Sequence, residues 1–192
     1  MILIALCLVF LLGLTAVGGR VSNLAQIKVK RAWLAPLAFL MQAYLIFIPA
    51  ETGGGVLSSR SLILIFSNCL LFAVIWHNRQ LPGLKLIGLG LLLNFLVIVA
   101  NGGFMPITPD TLVQTGFDSL APRLETGYRV ARTKNIVMEP GEARLWFLSD
   151  ILVIPRPFPI PSALSVGDLL IAVGVFLFLR EPMLREAPAS SI

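Results

Sequence analysis

The sequence predicts an all-α fold, a polytopic bundle of about five transmembrane helices with a partly helical loop between the last two. Two observations favour this fold. Of the 192 residues, 57% are hydrophobic and only 13% are charged, whereas soluble domains have about 45–50% apolar and about 25% charged residues. In addition, several apolar segments approach the roughly 20 residues that a helix needs to cross a bilayer.

The apolar segments are predicted spans within a single integral membrane domain that covers residues 1–192. They comprise residues 1–18, 32–49, 61–76, 84–100 and 165–179, and they leave residues 101–164 as a long outer loop. The first segment also resembles a secretory signal peptide, because Ala16-Val17-Gly18 is a run of small residues. A signal peptide has basic residues before its apolar run, and here they come after it, so we expect a retained span.

The basic residues predict an orientation for these spans. Four of them and no acid occupy residues 19–31, and others follow the third and fifth segments. Basic loops remain on the cytoplasmic side, so we expect an outer N-terminus and a cytoplasmic C-terminus. The expected partners are the lipid bilayer and either other membrane-protein subunits or a second copy of the chain. The net charge of +5 does not predict nucleic-acid binding, since no basic face with stacking aromatics accompanies it.

The loop over residues 101–164 is predicted to be ordered, because it keeps aromatic residues that disordered segments lack. Thr108-Pro109-Asp110 is typical of a helix start, and Pro122 is expected to stop that helix after Leu112, Val113, Phe117 and Leu120. Residues 142–148 are expected to form a second short helix. Alternating prolines over residues 154–161 predict extended, polyproline-like chain.

A set of polar residues and glycines around the fourth and fifth segments is the candidate functional site. Its members are Asn94, Asn101, Gly102, Gly103, Asp150, Ser165 and Asp168. The functional interpretation is a polar pocket built from Asn101, Asp150 and Asp168. In the structural alternative, Ser165 and Asp168 form a capping box, Asn101-Gly102-Gly103 ends a helix in a tight turn, and Asp150 pairs with an arginine.

Three runs of residues carry a family resemblance. They are Asn94-Phe95 with Asn101-Gly102-Gly103-Phe104-Met105-Pro106, then residues 144–151 (RLWFLSDI), then residues 165–171 (SVGDLLI). Together these resemble the bacterial multi-pass family DUF5317, a domain of unknown function, although Ser149 stands where the family usually has glycine. The resemblance implies a bacterial cytoplasmic-membrane protein and implies no activity.

The function is therefore open between two main hypotheses. No metalloprotease, serine-hydrolase or phosphate-binding motif occurs, so the leading hypothesis is a non-enzymatic structural or accessory subunit, with Gly83, Gly88 and Gly90 offering faces for partners. The alternative is lipid or small-molecule binding or processing through Asn101, Asp150 and Asp168. A channel or a cofactor-carrying subunit ranks third, and no cofactor or metal site is predicted, because the metal-ligating residues are few.

Overall fold

Each apolar segment of the sequence forms a helix in the computed structural model, which describes residues 2–47, 59–116, 125–130 and 133–185. The helices are α1 (Ile2–Ala16), α2 (Leu34–Phe47), α3 (Ser59–His77), α4 (Leu84–Ala100), the short α5 (Pro109–Gln114) and α6 (Val166–Met183). Apart from α5, they follow the predicted segments closely. The positions of the long helices were therefore predictable from the apolar runs.

The prediction that these helices cross a membrane is wrong. Within the described residues, no helix has both the length and the apolar character that a membrane span requires. The helices α1, α2 and α4 have 15, 14 and 17 residues, and the 18 residues of α6 include Asp168, Arg180 and Glu181. That finding contradicts the predicted multi-pass topology and the predicted localisation in the bacterial cytoplasmic membrane.

The all-α prediction is also wrong, because the described part of residues 101–164 contains two small sheets. Their strands are β1 (Met105–Ile107), β2 (Asn135–Val137), β3 (Leu152–Ile154) and β4 (Ser162–Leu164). The pair β1–β2 is parallel, with Met105 opposite Asn135, and β3–β4 is antiparallel. The proline-rich residues 155–161 make turns and bends between β3 and β4, so the expected extended chain is instead the connection of a hairpin.

Paired glycines bring α4 and α6 into close contact. A Cβ added to Gly90 would lie 2.4 Å from the carbonyl oxygen of Gly167, and one added to Gly83 would lie 2.0 Å from that of Gly174. The two contacts run in opposite chain order, so the helices are antiparallel. Gly88 faces Ile75 of α3. The glycines suggested as partner-binding faces therefore pack against helices of the same chain.

The other long helices extend this pair into an open arc. Helix α1 packs on α6, α3 packs on α4, and α2 packs on α3. The order across the arc is α1, α6, α4, α3, α2. Among the described helices, α1 and α2 share no contact as extensive as these neighbours do, so a cleft lies along the inner side of the arc.

The segment between α4 and α6 docks on one end of the arc through two apolar clusters. In the first, Met105 of β1 is buried among Leu45, Leu64, Val97 and Ile98 of α2, α3 and α4. The second joins Ile107, Leu112, Val130 and Val137 within the segment itself. Because β1 follows α4 almost directly, its partner β2 is also held against the helix ends.

Local signals within this segment were predicted with mixed success. Thr108 caps α5 by accepting a hydrogen bond from the backbone N–H of Thr111, with Pro109 at the first helical position, as expected. The helix predicted over residues 142–148 is reduced to a 3₁₀ turn at Trp146–Leu148. The expected continuation through Phe117 and Leu120 to Pro122 lies outside the described residues.

Replacing Gly167 with Ala is expected to destabilise the protein by about 1–3 kcal/mol, the range for overpacking a core. The new methyl group would lie 2.2 Å from Oδ1 of Asn94, so α4 and α6 must separate. Gly13→Ala is the matched control, since Gly13 is helical and has open space around its Cα, and it should stabilise by about 0.5–1 kcal/mol. Urea unfolding measures both changes, and equal effects would contradict the close contact.

Candidate functional site

The cleft inside the helix arc is the main candidate site. It has a volume of about 440 Å³, within the roughly 300–1,000 Å³ of small-molecule pockets. Its walls are largely Leu, Ile, Val and Phe side chains from α1, α2, α3, α4 and α6. The polar residues that line it are Gln42, Asn68, Asn94, Lys134 and Asp168. A few polar groups on apolar walls are typical of sites for small, mainly apolar molecules.

Asn94, Ser165 and Asp168 form one buried hydrogen-bond network where α4 meets the start of α6. Asn94 Nδ2 donates to Asp168 Oδ1 at 2.9 Å, and Ser165 Oγ donates to Asn94 Oδ1 at 2.7 Å. The predicted capping box is confirmed, because the N–H of Asp168 donates to Ser165 Oγ and the N–H of Ser165 donates to Asp168 Oδ2. The helix dipole of α6 further favours the carboxylate at this N-terminus.

Asn101, Gly102 and Gly103 belong to a separate contact. Asn101 Nδ2 donates to the carbonyl oxygens of Val97 and Arg144, each at 2.8 Å, and its Oδ1 accepts from the N–H of Arg144. The two glycines have φ of 75° and 94°, so they supply the left-handed turn that ends α4. These contacts agree with the interpretation that Asn101-Gly102-Gly103 ends a helix in a tight turn. Asn101 is not hydrogen-bonded to Asp150 or Asp168.

Asp150 is a buried carboxyl group outside this network, bonded to Asn135 of β2. Only 6% of it is exposed, its Oδ2 accepts from Asn135 Nδ2 at 2.7 Å, and its Oδ1 has no hydrogen-bond partner among the described residues. Burial raises the pKa of Asp150 to about 6; Lys134 and the Asn135 hydrogen bond lower it, and the charge of Asp168 raises it. The prediction that Asp150 belongs to a functional site stays a prediction.

Lys134 is the cationic residue of the cleft, and the sequence did not single it out. It precedes β2, and its carbonyl oxygen accepts from the N–H of Met105 at 3.1 Å. The parallel pairing of β1 with β2 thereby carries Lys134 to the cleft, next to the region of Asp150 and Asp168. No sequence signal marks this position, because the pairing joins residues about 30 positions apart.

The other polar lining groups are occupied by contacts within the helices. Gln42 Nε2 donates to Ser67 Oγ across α2 and α3 at 3.2 Å, and Asn68 Nδ2 donates to the carbonyl oxygen of Leu64 at 2.8 Å. Cys7 also lines the cleft, and burial raises the pKa of its thiol, so it is a poor nucleophile. Within the described part of the chain, no group of three His, Cys, Asp or Glu residues is placed to hold a metal ion.

This arrangement defines a helical protein with an apolar internal cleft and a polar network at one end. The chain belongs to the family described as a family of unknown function, DUF5317, whose model matches residues 26–180. The resemblance noted from the sequence motifs is thereby confirmed. The chain is 26% identical over 184 residues to an uncharacterised protein of Thermotoga maritima, with 94% of each chain covered. No solved structure matches it significantly.

Replacing Asp150 with Asn is expected to stabilise the protein near pH 8. A carboxyl whose pKa rises from 3.8 in the unfolded chain to about 6 when folded lowers the free energy of unfolding as the pH increases through that interval. The stability that the raised pKa gives the folded state is fully present below about pH 3.8 and is lost above about pH 6. The rise of this pKa from 3.8 to about 6 corresponds to a loss of about 3 kcal/mol in the free energy of unfolding.

The measurement is urea unfolding of the wild type and variant across this pH interval. Glu142→Gln serves as the control, since Glu142 is an exposed acid of the same segment. The wild type should lose stability relative to Asp150→Asn as the pH rises, whereas Glu142→Gln should follow the wild type. Parallel profiles for wild type and Asp150→Asn would contradict the raised pKa.

Proposed function

We propose that this protein is a non-enzymatic binding protein that holds a small, mainly apolar molecule in the cleft of its helix arc. The observation that carries the proposal is the composition of the cleft, which has apolar walls contributed by five helices and a few polar groups. Buried apolar surface supplies affinity at about 25 cal/mol per Å², and the polar groups orient the ligand.

The hydrogen-bond pattern supports binding rather than catalysis. Asp168, the carboxylate that lines the cleft, accepts from Asn94 with one oxygen and from the backbone of Ser165 with the other, so its contacts serve the α4–α6 packing and the helix cap. Catalytic acid–base groups lie within hydrogen-bond reach of the proton that they transfer. The sequence offered the alternative of binding through Asn101, Asp150 and Asp168. Of these three residues, we keep Asp168 in the proposed site, because Asp168 lines the cleft and Asn101 does not.

Filling the cleft should weaken binding of a neutral test ligand, for which we choose dodecanol. Val175 lines the cleft, so Val175→Trp should weaken dodecanol binding at least about tenfold, a loss of about 1.4 kcal/mol. Val173→Trp is the matched control, because Val173 lies on the same helix, is 51% exposed and should leave the affinity unchanged.

Isothermal titration calorimetry measures these affinities, and cleft binding should show a negative heat-capacity change from apolar burial. Equal weakening by Val173→Trp and Val175→Trp would place the ligand on the outer surface instead. An absence of dodecanol binding to the wild type would remove the basis of the proposed function.

A second candidate is an accessory subunit of a larger assembly, and the outer helix faces favour it. Leu12 of α1, Leu40 and Phe47 of α2 and Phe66 of α3 are between 57% and 77% exposed. Large exposed apolar patches are typical of interaction surfaces. We take the partner to be a second copy of the chain.

Sedimentation equilibrium should then give a mass that is a multiple of 20.9 kDa, the mass of one chain. Phe47→Ser should shift the equilibrium toward the single chain, because the most exposed of these side chains leaves the interface. The exposed polar residue Arg79, substituted by Gln, serves as the control. A single-chain mass for the wild type at all concentrations would exclude self-association.

A further inference from the structure

A small side pocket adjoins the large cleft at the end nearest the β1–β2 sheet. Its volume is about 30 Å³, and it shares Gln42, Leu64 and Lys134 with the cleft. One ordered water needs about 10–15 Å³ by this kind of measure. The side pocket therefore has room for a group of a few heavy atoms, and the large cleft has room for the rest of a molecule.

Two cations and no acid line the side pocket among the described residues. Arg129 and Lys134 supply the charges, and Thr133 and Gln42 supply a hydroxyl and an amide. The Thr133 hydroxyl donates to the carbonyl oxygen of Val130 and Gln42 donates to Ser67, so the positive charge of the side pocket comes from Arg129 and Lys134. Guanidinium and ammonium groups bind carboxylates through short, charge-assisted hydrogen bonds.

The Arg129 side chain and the Lys134 backbone are held in place by contacts that do not depend on a ligand. Arg129 Nη2 donates to the carbonyl oxygen of Leu45 at 3.2 Å, and its guanidinium carbon lies 5.0 Å from the centroid of the Phe104 ring. The backbone of Lys134 is fixed by the hydrogen bond from Met105. Groups that are positioned before binding lose less entropy when a ligand arrives.

Among the described residues, the carboxylates of Asp150 and Asp168 accept hydrogen bonds from other groups. Asp168 lines the cleft but not the side pocket, and its oxygens accept from Asn94 and Ser165. Asp150 lines neither cavity and accepts from Asn135. Their charges offset part of the positive potential, yet they do not compete for the space in which an incoming anion would meet Arg129 and Lys134.

We infer, on the basis of the proposed cleft function, that the ligand is a single-chain carboxylate whose acid group enters the side pocket beside Lys134 and Arg129 while its hydrocarbon chain fills the cleft. The side pocket suits a carboxylate in size and charge. The apolar cleft walls suit an unbranched alkyl chain, since they present few polar groups along its length.

Dodecanoate and dodecanol test this inference, because they share a chain and differ in the head group. At about pH 8, calorimetry should show that the wild type binds dodecanoate at least about tenfold more tightly than dodecanol. Lys134→Met should bring the affinities for dodecanoate and dodecanol within about threefold of each other. Lys85→Met is the matched control, since Lys85 is exposed and lines neither cavity, and should keep the wild-type preference.

The outcomes separate the two proposals. Wild-type protein that binds both ligands with equal affinity overturns the carboxylate inference and leaves cleft binding intact. Wild-type protein that binds neither ligand removes both. The comparison of ligands on the wild type needs no variant, so the inference stays testable if Lys134→Met fails to fold. Lys134→Arg, which keeps the charge, should retain the preference, and its loss there would also count against the head-group contact.

Discussion

The structure depends on the backbone contact between α4 and α6, where Gly90 meets Gly167 and Gly83 meets Gly174. Side chains at these positions would separate the helices, because close-packed interiors do not absorb an extra methyl group without strain. The close approach brings Asn94 Nδ2 to 2.9 Å from Asp168 Oδ1, so the helix packing and the polar network are parts of one contact. The outer helices then add to this pair, α1 on α6, and α3 and α2 on α4.

The polar network is stable because its members satisfy one another. Asn94 and Ser165 are 4% and 0% exposed, and an unpaired polar group at such a depth costs about 1–3 kcal/mol. Here the amide both donates and accepts, and the carboxylate oxygens accept from two different donors. Asp150 differs from this pattern, since one of its oxygens lacks a partner among the described residues and burial raises its pKa.

Local chemistry was predictable from the sequence, and long-range placement was not. Thr108 and Ser165 cap their helices, and Gly102 and Gly103 end α4, because each signal acts over a few residues. Lys134 reaches the cleft only through the pairing of β1 with β2, which no local pattern encodes. The membrane prediction failed for a related reason. The hydrophobic composition gives the number of apolar residues. It does not determine where a helix begins and ends, or which other element covers that helix.

Helix α1 is attached to the arc on one side, so we expect it to open locally more often than the central helices. Helix α1 packs mainly on α6, whereas α4 is held by α3, α6 and β1. Elements with fewer packing neighbours open by local fluctuation, and their backbone amides exchange hydrogen with solvent without global unfolding. The amides of α1 are accordingly expected to exchange faster than those of α4. The gap between α1 and α2 is thus bounded on one side by the helix that we expect to fluctuate more, and the proposed ligand would enter there without disturbing the glycine-paired core.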